Sequence, residues 1–207
     1  MLLSSTTFRS LPTLSTCCRR NLFSLPNLSS FSPFESKSKT YHEERVLPYT
    51  EKELYAVVAD VASYPKFIPF CTGSRIDASA LTRAMKSKTV TEAELTVGFM
   101  SFQESYISTV TCVPFKSVQA VASSSTPLFT NLSTIWKFQS NSSTRLLSKL
   151  SDTPDDPPGP TLVSYDLTYE FANPLHAAAS ATFFSQVAGM MIKAFEDRCR
   201  TVYGPQK

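Results

Sequence analysis

Only one long stretch of the chain, from Pro174 to Gly204, keeps its apolar residues on a helical period throughout. Phe184, Val187, Ala188, Met191, Phe195, Cys199 and Val202 share one face, while Gln186, Lys193, Glu196, Asp197 and Arg200 share the other. The pattern predicts an amphipathic helix lying on a core. A second stripe of Phe183, Val187, Met190 and Ala194 widens the apolar side. Asn173 fits an N-cap, Pro174 the first helical position, and Gly204-Pro205 a stop. About thirty residues rising 1.5 Å each give roughly 45 Å, enough to cross a whole sheet.

Upstream, a capping box starts a shorter helix: Thr50 stands three residues before Glu53, and Tyr49 with Leu54 can staple the entry. Leu54, Val57, Val58 and Val61 form its buried face. Before it, residues 41–49 alternate as a strand. After it, Pro65 and Pro69 bracket a second short helix over Ser63 to Phe70. From about Arg75 to Phe171 the period is two. Ala93, Leu95, Val97 and Phe99 alternate with Glu92, Glu94, Thr96 and Gly98, and further strands are predicted at Phe102–Val113, Ser117–Ser123 and Leu132–Phe138. The clearest strand is Thr161–Phe171, where Val163, Tyr165, Leu167, Tyr169 and Phe171 face one way. A polar, Pro/Asp-rich segment, 139–160, reads as a long mobile hairpin loop. The expected class is α+β: a curved antiparallel sheet around a long C-terminal helix. Such a sheet bends away from the helix and leaves an apolar cavity unless large side chains fill it.

Charge changes the picture of the first forty residues. Arg9, Arg19, Arg20, Lys37 and Lys39 face only Glu35 there, so a net charge of +3 for the 207 residues leaves residues 41–207 at −1. Residues 1–40, rich in Ser and Thr and acid-free until Glu35, have the composition of a mitochondrial transit peptide; a plain disordered N-terminus is the alternative. The near-neutral remainder lacks the basic footprint that nucleic acid requires. Five cysteines at 17, 18, 71, 112 and 199, without a C-x-x-C and with only His42 and His176 beside them, indicate neither a metal site nor a disulfide framework. No stretch approaches the length of a membrane-crossing helix.

Several separated motifs resemble the coenzyme Q-binding Coq10 family. They are Glu53-Leu-Tyr-Ala-Val-Val-Ala-Asp-Val-Ala-Ser-Tyr-Pro-Lys-Phe-Ile-Pro-Phe-Cys71, Ala93-Glu-Leu-Thr-Val-Gly-Phe99 and Leu132-Ser-Thr-Ile-Trp-Lys-Phe138. At the C-terminal end Phe171, Leu175, His176, Phe183, Phe184, Phe195 and Glu196 match in order and spacing. The similarity covers roughly residues 41–204. It implies a START-like helix-grip fold, a peripheral place at the matrix face of the mitochondrial inner membrane, and binding of ubiquinone (coenzyme Q) or a polyprenyl quinone intermediate. Support of its biosynthesis and delivery follows, through contact with biosynthetic or respiratory complexes. Ubiquinone is then a bound ligand, with no cofactor and no reaction. The long 139–160 loop departs from many members.

A quinone binder needs an apolar wall and a few donors for the ring carbonyls. The expected wall is Phe70, Leu95, Val97, Phe99, Trp136, Phe138, Tyr165, Tyr169, Phe171, Phe183, Val187, Met190 and Met191, with the Trp and Tyr polar atoms as donors; each serves equally well as ordinary core. Two short apolar segments, Phe67-Ile68-Pro69-Phe70 and Pro127-Leu128-Phe129, offer Phe67, Ile68, Leu128 and Phe129 as membrane contacts or, alternatively, as closures of the core. An enzyme of the polyketide cyclase or aromatase kind needs an acid or base in the cavity, and His176 is the one imidazole at hand; no catalytic or metal-binding residue is assigned. A protein-interaction module, like ribosome-acting bacterial relatives of the family, is the remaining alternative.

Overall fold

The computed structural model describes residues 38–99, 102–123, 129–140, 160–172 and 174–206, with the backbone alone at 99, 102 and 174–185. Among the described residues seven strands and three α-helices follow one another: β1 (Lys39–Leu47), α1 (Glu51–Ala59), a 3₁₀ turn (Val61–Lys66), β2 (Cys71–Ile76), α2 (Ala80–Ala84), β3 (Thr89–Phe99), β4 (Phe102–Val113), β5 (Ser117–Ala122), β6 (Phe129–Ser140), β7 (Thr161–Phe171) and α3 (Pro174–Tyr203). The sheet order is β1-β7-β6-β5-β4-β3-β2, every pair antiparallel. The expected α+β helix-grip arrangement is the one that forms.

The strongest local signals act as their chemistry dictates. Glu53 N donates to Thr50 Oγ1 at 3.1 Å and Thr50 N donates to Glu53 Oε2 at 2.9 Å, so α1 begins with a reciprocal capping box. β7 alternates without a fault: Thr161, Val163, Tyr165, Leu167, Tyr169 and Phe171 are buried and the residues between them are not. At the other end, Gly204 takes φ +83°, the left-handed conformation that ends a helix cheaply only for glycine. Its carbonyl accepts from the buried Tyr49 hydroxyl at 3.1 Å, tying the end of α3 to the entry of α1.

Several expectations are corrected. Instead of a helix over Ser63–Phe70 the chain makes the 3₁₀ turn with Pro65 inside it, because Pro65 cannot donate an i→i−4 bond and Pro69 blocks continuation. β2 starts at Cys71, earlier than the change of period near Arg75, and α2 had no periodic signal of its own. β6 runs from Phe129 to Ser140, so Gln139 and Ser140 belong to a strand; 141–159, the rest of the expected loop, lie outside the described residues, as do 1–37 of the expected transit segment and the N-cap Asn173.

The core face of α3 is Ala188, Ile192, Phe195 and Cys199, all 2 % exposed or less. Val202, assigned to that face, is 49 % exposed because the last turn leaves the core. On β1, Glu43 and Arg45 stand opposite Tyr165 and Val163 and so share the buried face of the sheet. Arg45 satisfies both sides of that edge, pairing with Glu43 at 2.7 Å and with Glu196 of α3 at 3.5 Å.

Candidate functional site

Between the concave face of the sheet and α3 lies a cavity of about 340 Å³. Leu95 and Val97 of β3, Tyr106, Ser108 and Val110 of β4, and Val118 and Ala120 of β5 form one part of its wall. Phe129, Leu132, Thr134 and Trp136 of β6 with Tyr165, Leu167 and Phe171 of β7 form another. Val187, Ala188, Met191 and Phe195 of α3 roof it. Val61, Tyr64 and the strap Ile68-Pro69-Phe70-Cys71 close the side next to β3.

Aromatic contacts fix the two ends. Trp136 lies 4.4 Å from Tyr165 and 4.6 Å from Phe195, centroid to centroid, and Phe195 meets Tyr64 and Phe67 edge-on at 5.5 and 5.2 Å. Elsewhere on the wall Phe129 packs on Phe171 at 5.1 Å and on Tyr106 at 5.9 Å. At the mouth Phe70 has φ +62° and is 37 % exposed. A bulky residue in that conformation is strained by about 1–3 kcal/mol and needs external support. One support is visible: the Phe70 carbonyl accepts from Gly98 N at 2.9 Å, pinning the strap to β3. The adjoining register shift in β2 admits Gly73, where a Cβ would meet Thr96 Oγ1 at 3.1 Å.

The described lining carries no carboxylate, imidazole, ammonium or guanidinium group. Its side-chain polar atoms are hydroxyls, one thiol and the Trp136 indole N–H. The Tyr64 hydroxyl donates to the Val58 carbonyl at 2.6 Å. Tyr106 and Tyr165 meet no hydrogen-bond partner among the described residues, and burial pushes both phenols well above the usual tyrosine value. Tyr106 is only half-buried by area because its ring borders the cavity, while its hydroxyl is as desolvated as that of Tyr165. Burial likewise pushes the Cys71 thiol up. Such groups are hydrogen-bond donors at neutral pH, not bases, and no general base faces this space among the described residues.

Of the thirteen residues expected to form a ligand wall, the fold brings eight to the cavity: Phe70, Leu95, Val97, Trp136, Tyr165, Phe171, Val187 and Met191. Three are elsewhere. Phe138 is buried against the Tyr55 ring at 6.2 Å, Tyr169 is buried beside Phe171, and Met190 is 39 % exposed because the helical period turns it away from 187, 188 and 191. The side chains of Phe99 and Phe183, and that of His176, lie outside the described residues. Of the expected membrane contacts, Phe129 is a buried wall residue at 2 % exposure and Ile68 also lines the cavity; Phe67 packs under the Arg198 guanidinium at 5.5 Å, and Leu128 lies outside the described residues. Sequence reasoning missed Tyr106, Phe195 and Ala188 as lining residues, although the last two stood on the predicted core face.

These features define a helix-grip fold with an apolar cavity open at one mouth. The Zhui aromatase/cyclase of Streptomyces sp. R1128 shares the fold at 12 % identity with a TM-score of 0.59, over 80 % of this chain and 96 % of that one. The family model for polyketide cyclase / dehydrase and lipid transport matches residues 47–196. Two relatives stand nearer in sequence. The mitochondrial coenzyme Q-binding protein COQ10 homolog B of Xenopus laevis is 33 % identical over 83 % of this chain and 62 % of its own length. The mitochondrial coenzyme Q-binding protein COQ10 of Dictyostelium discoideum is 32 % identical over 82 % of this chain and 73 % of its own. The chain thus spans under two thirds of the frog relative's length. It belongs to the polyketide cyclase and lipid transport family and, within it, to the coenzyme Q-binding Coq10 family.

Proposed function

We propose that the protein holds ubiquinone, or a prenylated intermediate of its synthesis, in the cavity without transforming it. It thereby supports synthesis of the quinone and its delivery to the respiratory chain. The observation that carries this reading is an apolar space with no charged group among its described lining residues, where the Tyr106 and Tyr165 hydroxyls and the Trp136 indole can donate, the complement of a lipid whose ring presents carbonyl oxygens. Phe70, Leu95, Val97, Trp136, Tyr165, Phe171, Val187 and Met191 serve as wall, and the names of the relatives support the quinone as ligand. The lack of an acid or base among the described lining residues favours binding over catalysis.

The composition of residues 1–40 and the relatives' names support a mitochondrial address; peripheral contact at the matrix side of the inner membrane is part of the same proposal. No described helix is long and apolar enough to cross a membrane. The exposure of Phe70 at the mouth, against the burial of Phe129, supports Phe70 as the bilayer contact, with Phe67 and Ile68 in the same short segment. The test is to purify the full chain without detergent, extract it with organic solvent and identify what is released by mass spectrometry. Near-stoichiometric prenylated quinone is expected; an empty protein that also takes up no added quinone overturns the reading. Flotation with cardiolipin-containing liposomes, weakened by Phe70→Glu, checks the membrane contact.

A further inference from the structure

The cavity's polar groups are unequal in kind. Tyr106 of β4 and Tyr165 of β7 both line it, and neither has a hydrogen-bond partner among the described residues. Their strands are three steps apart in the sheet, about 14 Å at a strand spacing of roughly 4.8 Å. The curvature of the sheet turns both rings toward one space, and the hydroxyls lie near enough to sense each other's charge. The Trp136 indole beside Tyr165 adds a group that can only donate. No side chain of the described lining residues carries a carboxylate or amide oxygen. Among their side chains only hydroxyl oxygens of Ser, Thr and Tyr and the Cys71 sulfur can accept a hydrogen bond, and a phenol oxygen, conjugated with its ring, accepts more weakly than it donates.

We propose that Tyr106 and Tyr165 donate hydrogen bonds to the ring carbonyls of the bound quinone, so that the cavity selects the oxidised ring over the quinol. This rests on the quinone reading above. A quinone carries acceptors only, so its carbonyls and the two orphaned phenols satisfy one another. A quinol brings two O–H donors into a space already rich in donors. A quinol oxygen accepts from a phenol more weakly than a quinone carbonyl does, and each quinol O–H must find its own acceptor among hydroxyl oxygens that are themselves weak, which weakens binding by about tenfold. The consequence is directional: oxidised quinone is retained, and reduction loosens the protein's hold. A tenfold preference lowers the midpoint potential of the bound two-electron couple by about 30 mV relative to the free couple.

The experiment uses the full chain stripped of lipid, with decylubiquinone and, under anaerobic conditions, its quinol, measured by equilibrium dialysis. Quenching of Trp136, the one tryptophan of the chain, gives an independent signal of occupancy. The expected result is that the quinone binds about tenfold tighter than the quinol. Tyr106→Phe and Tyr165→Phe, which keep the rings, should each weaken quinone binding several-fold and move the ratio toward one, with an unchanged thermal midpoint showing that the variant is folded. If Tyr165→Phe does not fold, Tyr106→Phe carries the test. Equal affinity of the wild type for both forms, a preference for the quinol, or an unaltered ratio in the folded variants overturns the proposal. Failure of the wild type to bind either form overturns instead the quinone reading on which it rests.

Discussion

Phe195 is where the packing of α3 and the wall of the cavity are the same side chain, which makes Phe195→Ala the most informative truncation. The ring is 2 % exposed and meets Trp136 at 4.6 Å, Phe67 at 5.2 Å and Tyr64 at 5.5 Å, all steeply inclined. Removing a buried Phe costs about 3–5 kcal/mol in lost transfer and residual cavity. Three edge-on pairs, each worth about 0.5–1.5 kcal/mol beyond area, put this site at the upper end of that range. The existing void next to it offers little material to collapse into the gap. With an m-value of roughly 2 kcal/mol/M in urea, a loss of about 4 kcal/mol moves the unfolding midpoint down by about 2 M. Urea titration of the lipid-free protein followed by far-UV circular dichroism reads this directly. A shift below about 0.5 M at unchanged m would mean that α3 does not dock through Phe195, and the account of the cavity roof would fail with it.

Thr50→Ala removes the acceptor for Glu53 N and leaves the reciprocal bond alone, so the same titration should report a loss of about 1 kcal/mol, and Thr50→Ser should restore most of it. Gly204→Ala forces a Cβ into φ +83° and should cost about 1 kcal/mol although nothing lies within 4 Å of that Cβ, showing that backbone conformation rather than crowding is responsible. Burial, helped by the Glu43 carboxylate, pushes the Tyr41 hydroxyl from 10.0 up to about 12; burial, helped by Glu53 and Glu196, pushes the Cys199 thiol from 9.0 up to about 12. Both groups hold their protons more tightly in the native state. Their contribution is therefore complete below pH 9 and is lost as pH rises from there to about 12, and thermal midpoints should be flat to pH 9 and fall above it. Ala120→Leu on β5 fills part of the cavity. The lipid-free protein should gain up to about 2 kcal/mol at roughly 0.8 kcal/mol per buried CH₂, while quinone recovered on extraction falls; wild-type recovery would count against ligand occupancy of this space.

What the sequence disclosed depended on how far local chemistry agreed with tertiary environment. β7 alternates in polarity as it alternates in burial, and the Thr50/Glu53 spacing has one sensible use, so both are legible. β4 inverts the rule: Ile107 is 48 % exposed and Ser108 is 3 % exposed, so the period-two signal around Tyr106 misleads and the tyrosine passes unnoticed as a wall residue. Phe129 and Phe70 belong to similar short apolar runs, yet one is buried in a strand and the other lies exposed at a mouth. Nothing in a run of three apolar residues separates a strand start from a loop tip. Ile192, fully buried, escaped because the stripe through 188, 191 and 195 already explained a helix face. α2 was illegible and the 3₁₀ turn legible only as a short helix of wrong type and bounds, for a simpler reason: five and six residues are too few to show a period.

The cavity stays open because large and small side chains are segregated along its wall. Trp136, Tyr165, Phe195 and Tyr64 lean on one another in one cluster, and Phe129, Phe171 and Tyr106 in another, so the aromatic volume that could fill the centre is committed to ring contacts. Between them the wall is built from Val110, Val118, Ala120, Gly98 and Ala188, which cannot reach across. A void of this kind lowers stability, since its lining atoms lack partners on one side. The charged edge offers compensation. Arg45 bridges Glu43 and Glu196, and the capping box and the Tyr49–Gly204 bond hold α1 and the end of α3, all outside the cavity. Among the described residues these stabilising contacts lie away from the cavity. A lipid bound in the cavity is therefore expected to raise the unfolding temperature, because it would supply the dispersion contacts that the side chains withhold.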